Sequence, residues 1–265
     1  MHPVLFSFGP FELYSYGVLI ALGGVLSSYF WHLKRAKIGL KNDEDLWLMI
    51  NLILLGGFLG GRVLFLFEYT VPFSHAFWQT AFSFNRGFSV MGAFVGVLGA
   101  LGWFSRRAGV PFLRVLDYVC QAAPFWHVFG RLGCFMAGCC FGREADGLPW
   151  AVTFTNPRSM VDSNLLGRPI HPTQLYEALG DLIIAAGLYV FVLPKVEKGR
   201  WPRGSVCAGY FISYAVLRFV TEFYRGDVVP FWLGLTAAQA ASLGLVAAAL
   251  GIIIYGRGRE ACTQS

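Results

Sequence analysis

Seven apolar stretches, each approaching the length of a membrane-spanning helix, follow one another along the chain. A helix needs roughly 20 predominantly apolar residues to cross the hydrocarbon core of a bilayer. Backbone polar groups must be satisfied internally in lipid, so such segments form helices. The stretches lie at Tyr14–Trp31, Leu46–Phe67, Phe88–Phe104, Leu116–Met136, Leu175–Leu193, Val206–Tyr224 and Leu235–Tyr255. The sequence therefore predicts an all-α fold: a polytopic membrane helix bundle of about seven transmembrane helices, forming one domain over residues 1–265.

The composition excludes the main alternatives to a membrane protein. Hydrophobic residues make up 56% of the chain and charged residues only 14%, whereas soluble domains carry roughly 25% charged residues. A disordered chain, a coiled coil and an ordinary soluble enzyme are all excluded. The net charge of +6 is typical of cytoplasmic loops that face anionic lipid, and no nucleic-acid-binding motif accompanies it. The first residues lack the basic region and cleavage site of a signal peptide, so the first stretch is expected to be retained as a span.

The basic residues predict the orientation of the bundle. All five lysines and eight of the arginines follow the first, third, fifth and seventh stretches. The positive-inside rule then places the N-terminus outside and the C-terminus in the cytoplasm. The opposite loops carry arginine but no lysine: Arg86, Arg131, Arg143, Arg158, Arg168 and Arg225. The longest loop, residues 137–173, is predicted to form a small extracytoplasmic cap between spans four and five.

Two kinds of unusual residue lie inside the spans. In span two, the pairs Gly56/Gly60 and Gly57/Gly61 have the small-xxx-small spacing that lets helices pack closely. Charged and polar residues also lie within spans, where they are costly and often functional. Those of span four share one helical face, and so do those of span six. The sets of spans four and six are Asp117, Gln121, Pro124, His127 and Arg131, and Tyr210, Tyr214, Arg218, Glu222 and Arg225; that of span five, likewise on one face, is Gln174, Glu177 and Asp181.

Four arginines fall near the predicted outer headgroup level: Arg62, Arg131, Arg218 and Arg225. These arginines outnumber the carboxylates expected near them. The planar guanidinium is also well suited to binding phosphate oxygens. The inferred ligand is a phosphate-bearing lipid of the outer leaflet. The alternative, weighted about equally for any single pair, is a set of buried ion pairs such as Arg218–Glu222 that hold the bundle together.

Five segments together resemble the prolipoprotein diacylglyceryl transferase family. They are VLFSFGPFELYSYG with Tyr16-Gly17, GGFLGGR ending at Arg62, GRLGCFMAGCCFGR (130–143), HPTQLYEAL (171–179) and RFVTEFYRGD (218–227). The resemblance implies transfer of the diacylglyceryl group of phosphatidylglycerol to the thiol of a prolipoprotein lipobox cysteine, with release of glycerol phosphate. It implies a multi-pass protein of the bacterial cytoplasmic (inner) membrane, with its active site towards the outer leaflet. Its partners are phosphatidylglycerol, prolipoprotein signal peptides and membrane lipid, with no nucleic acid, and neither a cofactor nor a metal is expected.

The resemblance also assigns roles to individual residues. Arg131 and Arg218 are the expected catalytic residues, which bind the headgroup and stabilise the leaving phosphate. The expected substrate-binding set adds Tyr16, Arg62, Gly142 and Arg225 to these two.

Met91 departs from the family pattern, because the family often has histidine at the start of span three, where it is a candidate to deprotonate the thiol. Methionine cannot act as a base. His127, one turn before Arg131, is the candidate substitute, although a neutral core histidine is the favoured interpretation. An arginine field that lowers the thiol pKa is the other route to a thiolate.

Three of the six cysteines, Cys134, Cys139 and Cys140, cluster at the predicted outer surface. In an oxidising compartment this favours a disulfide from Cys134 to Cys139 or Cys140. Small apolar packing residues are the alternative, with about half the weight. A metal site is disfavoured because the C-x4-C-C spacing offers no paired ligand set.

Two other functions compete with the transferase. A transporter or flippase for an anionic lipid would use the same arginines, but it needs a polar path to both faces and the last span is nearly all Ala, Leu and Gly. A catalytically silent paralogue that binds lipid or lipoprotein precursors is supported mainly by Met91.

Overall fold

The computed structural model describes residues 1–9, 11–83 and 87–264, and the protein is mostly helical. The helices are α1 (Ser15–Ile38), α2 (Asp43–Tyr69), α3 (His75–Phe82), α4 (Val90–Ala108), α5 (Phe112–Ala137), α6 (Thr173–Gly187), α7 (Leu193–Glu197), α8 (Ser205–Glu222) and α9 (Ala237–Gln264), with a π-helical turn at Leu188–Val192 between α6 and α7. Antiparallel hairpins pair β1 (Val4–Phe8) with β2 (Phe11–Tyr14), β3 (Val152–Thr153) with β4 (Pro169–Ile170), and β5 (Pro230–Trp232) with β6 (Leu235–Thr236). The all-α prediction missed these hairpins because strands this short give little alternating pattern.

Among the described residues, four helical segments are long and apolar enough to cross a membrane: Ser15–Ile38, Asp43–Tyr69, Thr173–Glu197 and Ala237–Gly256. This agrees with a helical membrane protein. Helices also cover the other three predicted stretches, as α4, α5 and α8. The count of seven spans and the orientation stay predictions.

The chain divides into two compact units, Met1–Phe30 with Asp117–Ser265, and Trp31–Leu116. In the second unit α2 packs against α4 through glycines of both helices. A Cβ at Gly60 would lie 2.3 Å from the carbonyl oxygen of Gly92, and one at Gly96 would lie 2.1 Å from that of Gly56. The predicted role of Gly56 and Gly60 in close helix packing is thus confirmed. Around the other pair, the Phe88 ring packs on Gly61 and the Val97 side chain contacts Gly57.

We expect Gly96→Ala to lower the free energy of unfolding by about 1–3 kcal/mol, the usual cost of forcing extra atoms into a packed core. Gly99→Ala is the matched control on the same helix, because a Cβ there meets nothing within 4 Å. The control should be neutral or stabilising by up to ~1 kcal/mol, since alanine is the better helix former. Thermal unfolding of both variants in detergent checks this, and equal midpoints would contradict it.

In the first unit, a buried carboxylate of α5 fixes the start of α8. Asp117 Oδ1 accepts hydrogen bonds from the backbone N–H groups of Val206 (2.9 Å) and Cys207 (3.0 Å), and Oδ2 accepts one from Gly204 at 2.7 Å. These N–H groups have no partners within the helix, and a negative charge also complements the helix dipole. Asp117, which the sequence placed on the polar face of span four, therefore positions α8.

The segment predicted as a cap contains its own small core. Phe141, Phe154, Val161 and Ile170 pack together there and are buried. The β3–β4 pair closes over them, with Val152 opposite Ile170. This packing holds both ends of the segment, next to α5 and α6, in fixed positions. Its extracytoplasmic location stays a prediction.

Candidate functional site

A buried carboxylate on α6 pairs with arginines of α5, of α8 and of the segment that follows α8, all in the first unit. Glu177 is completely buried. Its Oε2 lies 2.5 Å from Arg131 Nη2, and its Oε1 lies 3.3 Å from Arg218 Nη1 and 3.7 Å from Arg225 Nη1. Three of the four arginines singled out in the sequence therefore converge on one acidic group.

Each of the other two carboxylates of this cluster pairs with one arginine. Arg218 Nη2 lies 2.8 Å from Glu222 Oε2, one turn further along α8. Arg225 donates to both oxygens of Asp227, at 2.8 and 2.6 Å, in the bidentate geometry typical of strong charge pairs. Together with Glu177 these give three carboxylates for three arginines. The expectation that the arginines outnumber the nearby carboxylates is wrong for this trio.

The arginines keep hydrogen-bonding capacity in spite of this balance. A guanidinium has five N–H donors, and the ion pair of Arg131 uses its Nη2 while that of Arg218 uses Nη1 and Nη2. Their side chains are 17% and 15% exposed. Each guanidinium therefore keeps N–H donors that these ion pairs do not use.

His127 lies one turn before Arg131 on α5 and is oriented by two partners. Its Nδ1 is 3.0 Å from the Tyr210 hydroxyl and 4.0 Å from Asp181 Oδ1. Asp181 is completely buried, and neither of its oxygens has a hydrogen-bond partner among the described residues. The His127 side chain is partly exposed.

Gly142 lies where two backbone segments approach each other closely. It forms a bridge with Arg225, while the Arg143 N–H donates to the Tyr224 carbonyl at 2.9 Å. A Cβ at Gly142 would lie 2.3 Å from the carbonyl oxygen of His171. Only glycine fits beside His171 at this position. The bridge between Gly142 and Arg225 holds the backbone of Arg225 beside the cluster.

Tyr16 lies in the first turn of α1, and its ring packs on the face of α5 at Gly133. A Cβ on Gly133 would come within 2.9 Å of that ring. The Tyr16 side chain is 44% exposed. Because Gly133 has no side chain, the Tyr16 ring can pack directly on α5 near its C-terminal end.

The cysteines at this end of α5 are free thiols, so the predicted disulfide is wrong in this structure. The Sγ atoms of Cys134, Cys139 and Cys140 lie within 4.8 Å of one another. Hydrogen bonds from Cys134 and Cys139, together with the charges of Arg225 and Arg131, lower the pKa of the Cys140 thiol. The sulfurs are therefore brought together as the short spacing led us to expect, but without a covalent bond.

The two remaining sequence candidates belong to the second unit. The Arg62 guanidinium donates to the backbone carbonyl of Gly87 at 3.0 Å and also to those of Thr80 and Ser83. Met91 lies in the first turn of α4 and is exposed. Arg86, counted among the outer-loop arginines, lies outside the described residues.

Several residues of the first unit were not predicted as part of the site. Glu177 and Asp181, which the sequence placed on one face of span five, lie one turn apart on α6. His171 Nδ1 lies 3.2 Å from the Tyr176 hydroxyl. Burial and the charge of Arg143 lower the pKa of His171. His171 and Tyr176 lie in the segment HPTQLYEAL, which carries part of the family resemblance, but no role in the site was predicted for them.

Comparison with known proteins gives a consistent result across most of the chain. The sequence model of the prolipoprotein diacylglyceryl transferase family matches residues 3–255. The chain is 33% identical to a phosphatidylglycerol–prolipoprotein diacylglyceryl transferase of Clostridium tetani, over 86% of each chain. Its identity to the proteins of the same name is 33% in Legionella pneumophila, over 93% of each chain, and 30% in Photorhabdus laumondii, over 96% of this chain and 91% of that one.

Proposed function

The chain belongs to the prolipoprotein diacylglyceryl transferase family, and from this membership we propose that it transfers the diacylglyceryl group of phosphatidylglycerol to the thiol of a prolipoprotein lipobox cysteine. The observation that carries the proposal is the convergence of Arg131, Arg218 and Arg225 on Glu177. The resemblance assigned headgroup and leaving-group contacts to these same arginines.

The reaction requires a thiolate and a stabilised leaving group. The cysteine sulfur attacks the carbon of the diacylglyceryl group that is bonded to the phosphate oxygen. A C–S bond forms, the C–O bond to phosphate breaks, and glycerol phosphate departs with the bonding electron pair. The phosphate thereby changes from a diester monoanion to a monoester dianion, while the thiol proton passes to a base.

Arg131 and Arg218 are the catalytic residues of this proposal. Their unused N–H donors bind the headgroup phosphate and stabilise the extra negative charge that develops as the C–O bond breaks. Glu177 is a positioning residue, because it holds both guanidiniums at one place before substrate arrives. Tyr16, Arg62, Gly142 and Arg225 complete the proposed substrate-binding set, with Gly142 acting through the backbone contact that holds Arg225.

His127 is the proposed base in place of the histidine that Met91 replaces. Its contact with the Tyr210 hydroxyl and the nearby Asp181 carboxylate orient the ring. An adjacent carboxylate also stabilises the imidazolium that forms when the thiol proton is taken up.

We expect the wild-type protein to be active near neutral pH and His127→Ala to be slower there by at least about a hundredfold, the usual contribution of a general base. The rate of His127→Ala should recover as the pH rises towards the thiol reference pKa of ~8.5, because the substrate then ionises unaided. Met91→His should add little. The measurement is a pH–rate profile of each protein, with His75→Ala, on the exposed surface of α3, as the control.

One outcome of that profile would favour the silent paralogue. If the wild type forms no product at any pH and activity appears only in Met91→His, the histidine of the family pattern is indispensable. The proposed role of His127 would then be overturned.

The proposed topology has seven spans in the bacterial cytoplasmic (inner) membrane, with the N-terminus outside and the site towards the outer leaflet. The lysines and arginines after alternate predicted spans support it. A cysteine placed at Lys34 should react with impermeant reagents only from the cytoplasmic side. Labelling of that position from the periplasm would contradict the topology.

The function itself is tested with purified full-length protein, phosphatidylglycerol and a synthetic lipobox peptide. Mass spectrometry should show a peptide that has gained one diacylglyceryl group, together with released glycerol phosphate. A peptide with serine in place of the lipobox cysteine is the control and should stay unmodified. Lipid movement across vesicles without peptide modification would instead indicate the transporter alternative.

A further inference from the structure

The three thiols at the C-terminal end of α5 have a geometry that neither a disulfide nor simple packing requires. We propose that Cys134, Cys139 and Cys140 form a three-thiolate binding site for a thiophilic d10 metal ion, the class that includes Zn²⁺ and Cu⁺. Binding involves no redox change, because the ion displaces the thiol protons into solvent and forms one bond to each sulfur. The proposal does not depend on the proposed function, since occupancy is measured directly.

The separation of the sulfurs fits a single shared ion. Their Sγ atoms all lie within 4.8 Å of one another. A triangle with sides of 4.8 Å has its centre about 2.8 Å from each corner, and a Zn–S bond is about 2.3 Å long. Each sulfur therefore has to move inward by at most about 0.5 Å, which a cysteine χ1 adjustment supplies.

Buried side chains of α6 hold the backbone that carries two of these thiols. Gln174 Nε2 donates to the carbonyl of Cys139 and Thr173 Oγ1 donates to that of Cys140, both at 2.8 Å. Gln174 and Thr173 are completely buried. The loop is therefore held in place before an ion arrives, so little conformational entropy is lost on binding.

The charges around the cluster favour an anionic metal–thiolate complex. Three thiolates around Zn²⁺ carry a net charge of −1, and around Cu⁺ a net charge of −2. Arg225 and Arg131 are close enough to Cys140 for their positive charges to act on its thiol. Soft thiolate ligands select Cu⁺ and Zn²⁺ over the harder cations Mg²⁺ and Ca²⁺.

Solvent accessibility distinguishes the three-cysteine cluster from Cys120 and Cys207, two further neighbouring thiols in the described part of the chain. Cys139 and Cys140 are partly exposed, whereas Cys120 and Cys207 are buried and contact each other. Two thiols offer too few ligands for a zinc site. Cys207→Ala therefore removes one thiol without touching the proposed site and serves as a matched control.

The test uses reduced full-length protein in detergent, with Cd²⁺ as a spectroscopic probe and Cu⁺ in competition with a chromophoric chelator. We expect one ion per chain with thiolate-to-metal charge-transfer absorption, and a rise in the thermal midpoint on binding. Cys139→Ser and Cys140→Ser should each weaken binding by at least about a hundredfold, since even second-shell changes cost 10–100-fold. Cys207→Ala should bind as the wild type does.

Two results would overturn the proposal. The first is metal affinity in Cys139→Ser or Cys140→Ser equal to that of Cys207→Ala. The second is a disulfide between two cysteines of the cluster in protein taken directly from membranes. It would be seen as two thiols that alkylate only after reduction. A serine variant that unfolds is recognised by its thermal midpoint without metal, and the other serine variant then decides.

Discussion

Arg131→Ala and Arg218→Ala are each expected to slow diacylglyceryl transfer by more than about a hundredfold. Removing one donor to a charge that develops in the transition state commonly costs ~3 kcal/mol or more. Arg131→Lys and Arg218→Lys should recover only part of the rate, because lysine lacks the planar fork that binds two oxygens at once. The measurement is initial rate with phosphatidylglycerol and a lipobox peptide.

The fold should survive either substitution, which separates catalysis from stability. Glu177 keeps two of its three arginine partners in each alanine variant. Arg168→Ala is the matched control, because Arg168 pairs with Glu144 at 3.0 Å and is 58% exposed. Its rate should be unchanged. Near-wild-type turnover in either Arg131→Ala or Arg218→Ala would remove that arginine from the mechanism.

Glu177→Ala is expected to destabilise the protein by about 3–5 kcal/mol, the range measured when one partner of a buried ion pair is removed. Glu177 is completely buried, and its loss leaves Arg131, Arg218 and Arg225 facing one another with two carboxylates among them. Their mutual repulsion in a poorly hydrated environment gives the large effect. Thermal unfolding in detergent measures it.

Two further variants make this result specific to the buried charge. Glu177→Gln keeps the shape and one acceptor oxygen, so its stability should fall between those of Glu177→Ala and the wild type. Glu144→Ala removes a carboxylate from an exposed ion pair and should cost less than ~1 kcal/mol. A thermal midpoint of Glu177→Ala equal to that of Glu144→Ala would show that Glu177 does not hold the arginines together.

Local features of the fold and of the candidate site could be predicted from the sequence. Apolar stretches predict helices wherever they are long enough, and helices cover all seven of them. The steps of four along α5 and α8 placed His127 beside Arg131, and Arg218 beside Glu222. Gly56 and Gly60 indicated a close helix contact, which α4 supplies. Each of these follows from the 3.6-residue repeat of a helix and needs no knowledge of its neighbours.

Contacts between distant segments could not be predicted in the same way. Asp117 looked like a candidate for function, and it instead holds the start of α8, 87 residues further along the chain. The arginines seemed to lack counter-charges because Glu177 was not recognised as their shared partner. The hairpins were missed because strands of two to five residues carry almost no pattern.

The sequence by itself therefore determined a helical membrane protein, the residues that share each helical face, and the likeness to one enzyme family. Only the tertiary structure decided which charges neutralise one another around Glu177, and that Cys134, Cys139 and Cys140 lie together as thiols. The physical reason is that helical periodicity is set by hydrogen bonds four residues apart. The partners of a buried charge are instead set by how separate helices pack, which no local spacing encodes.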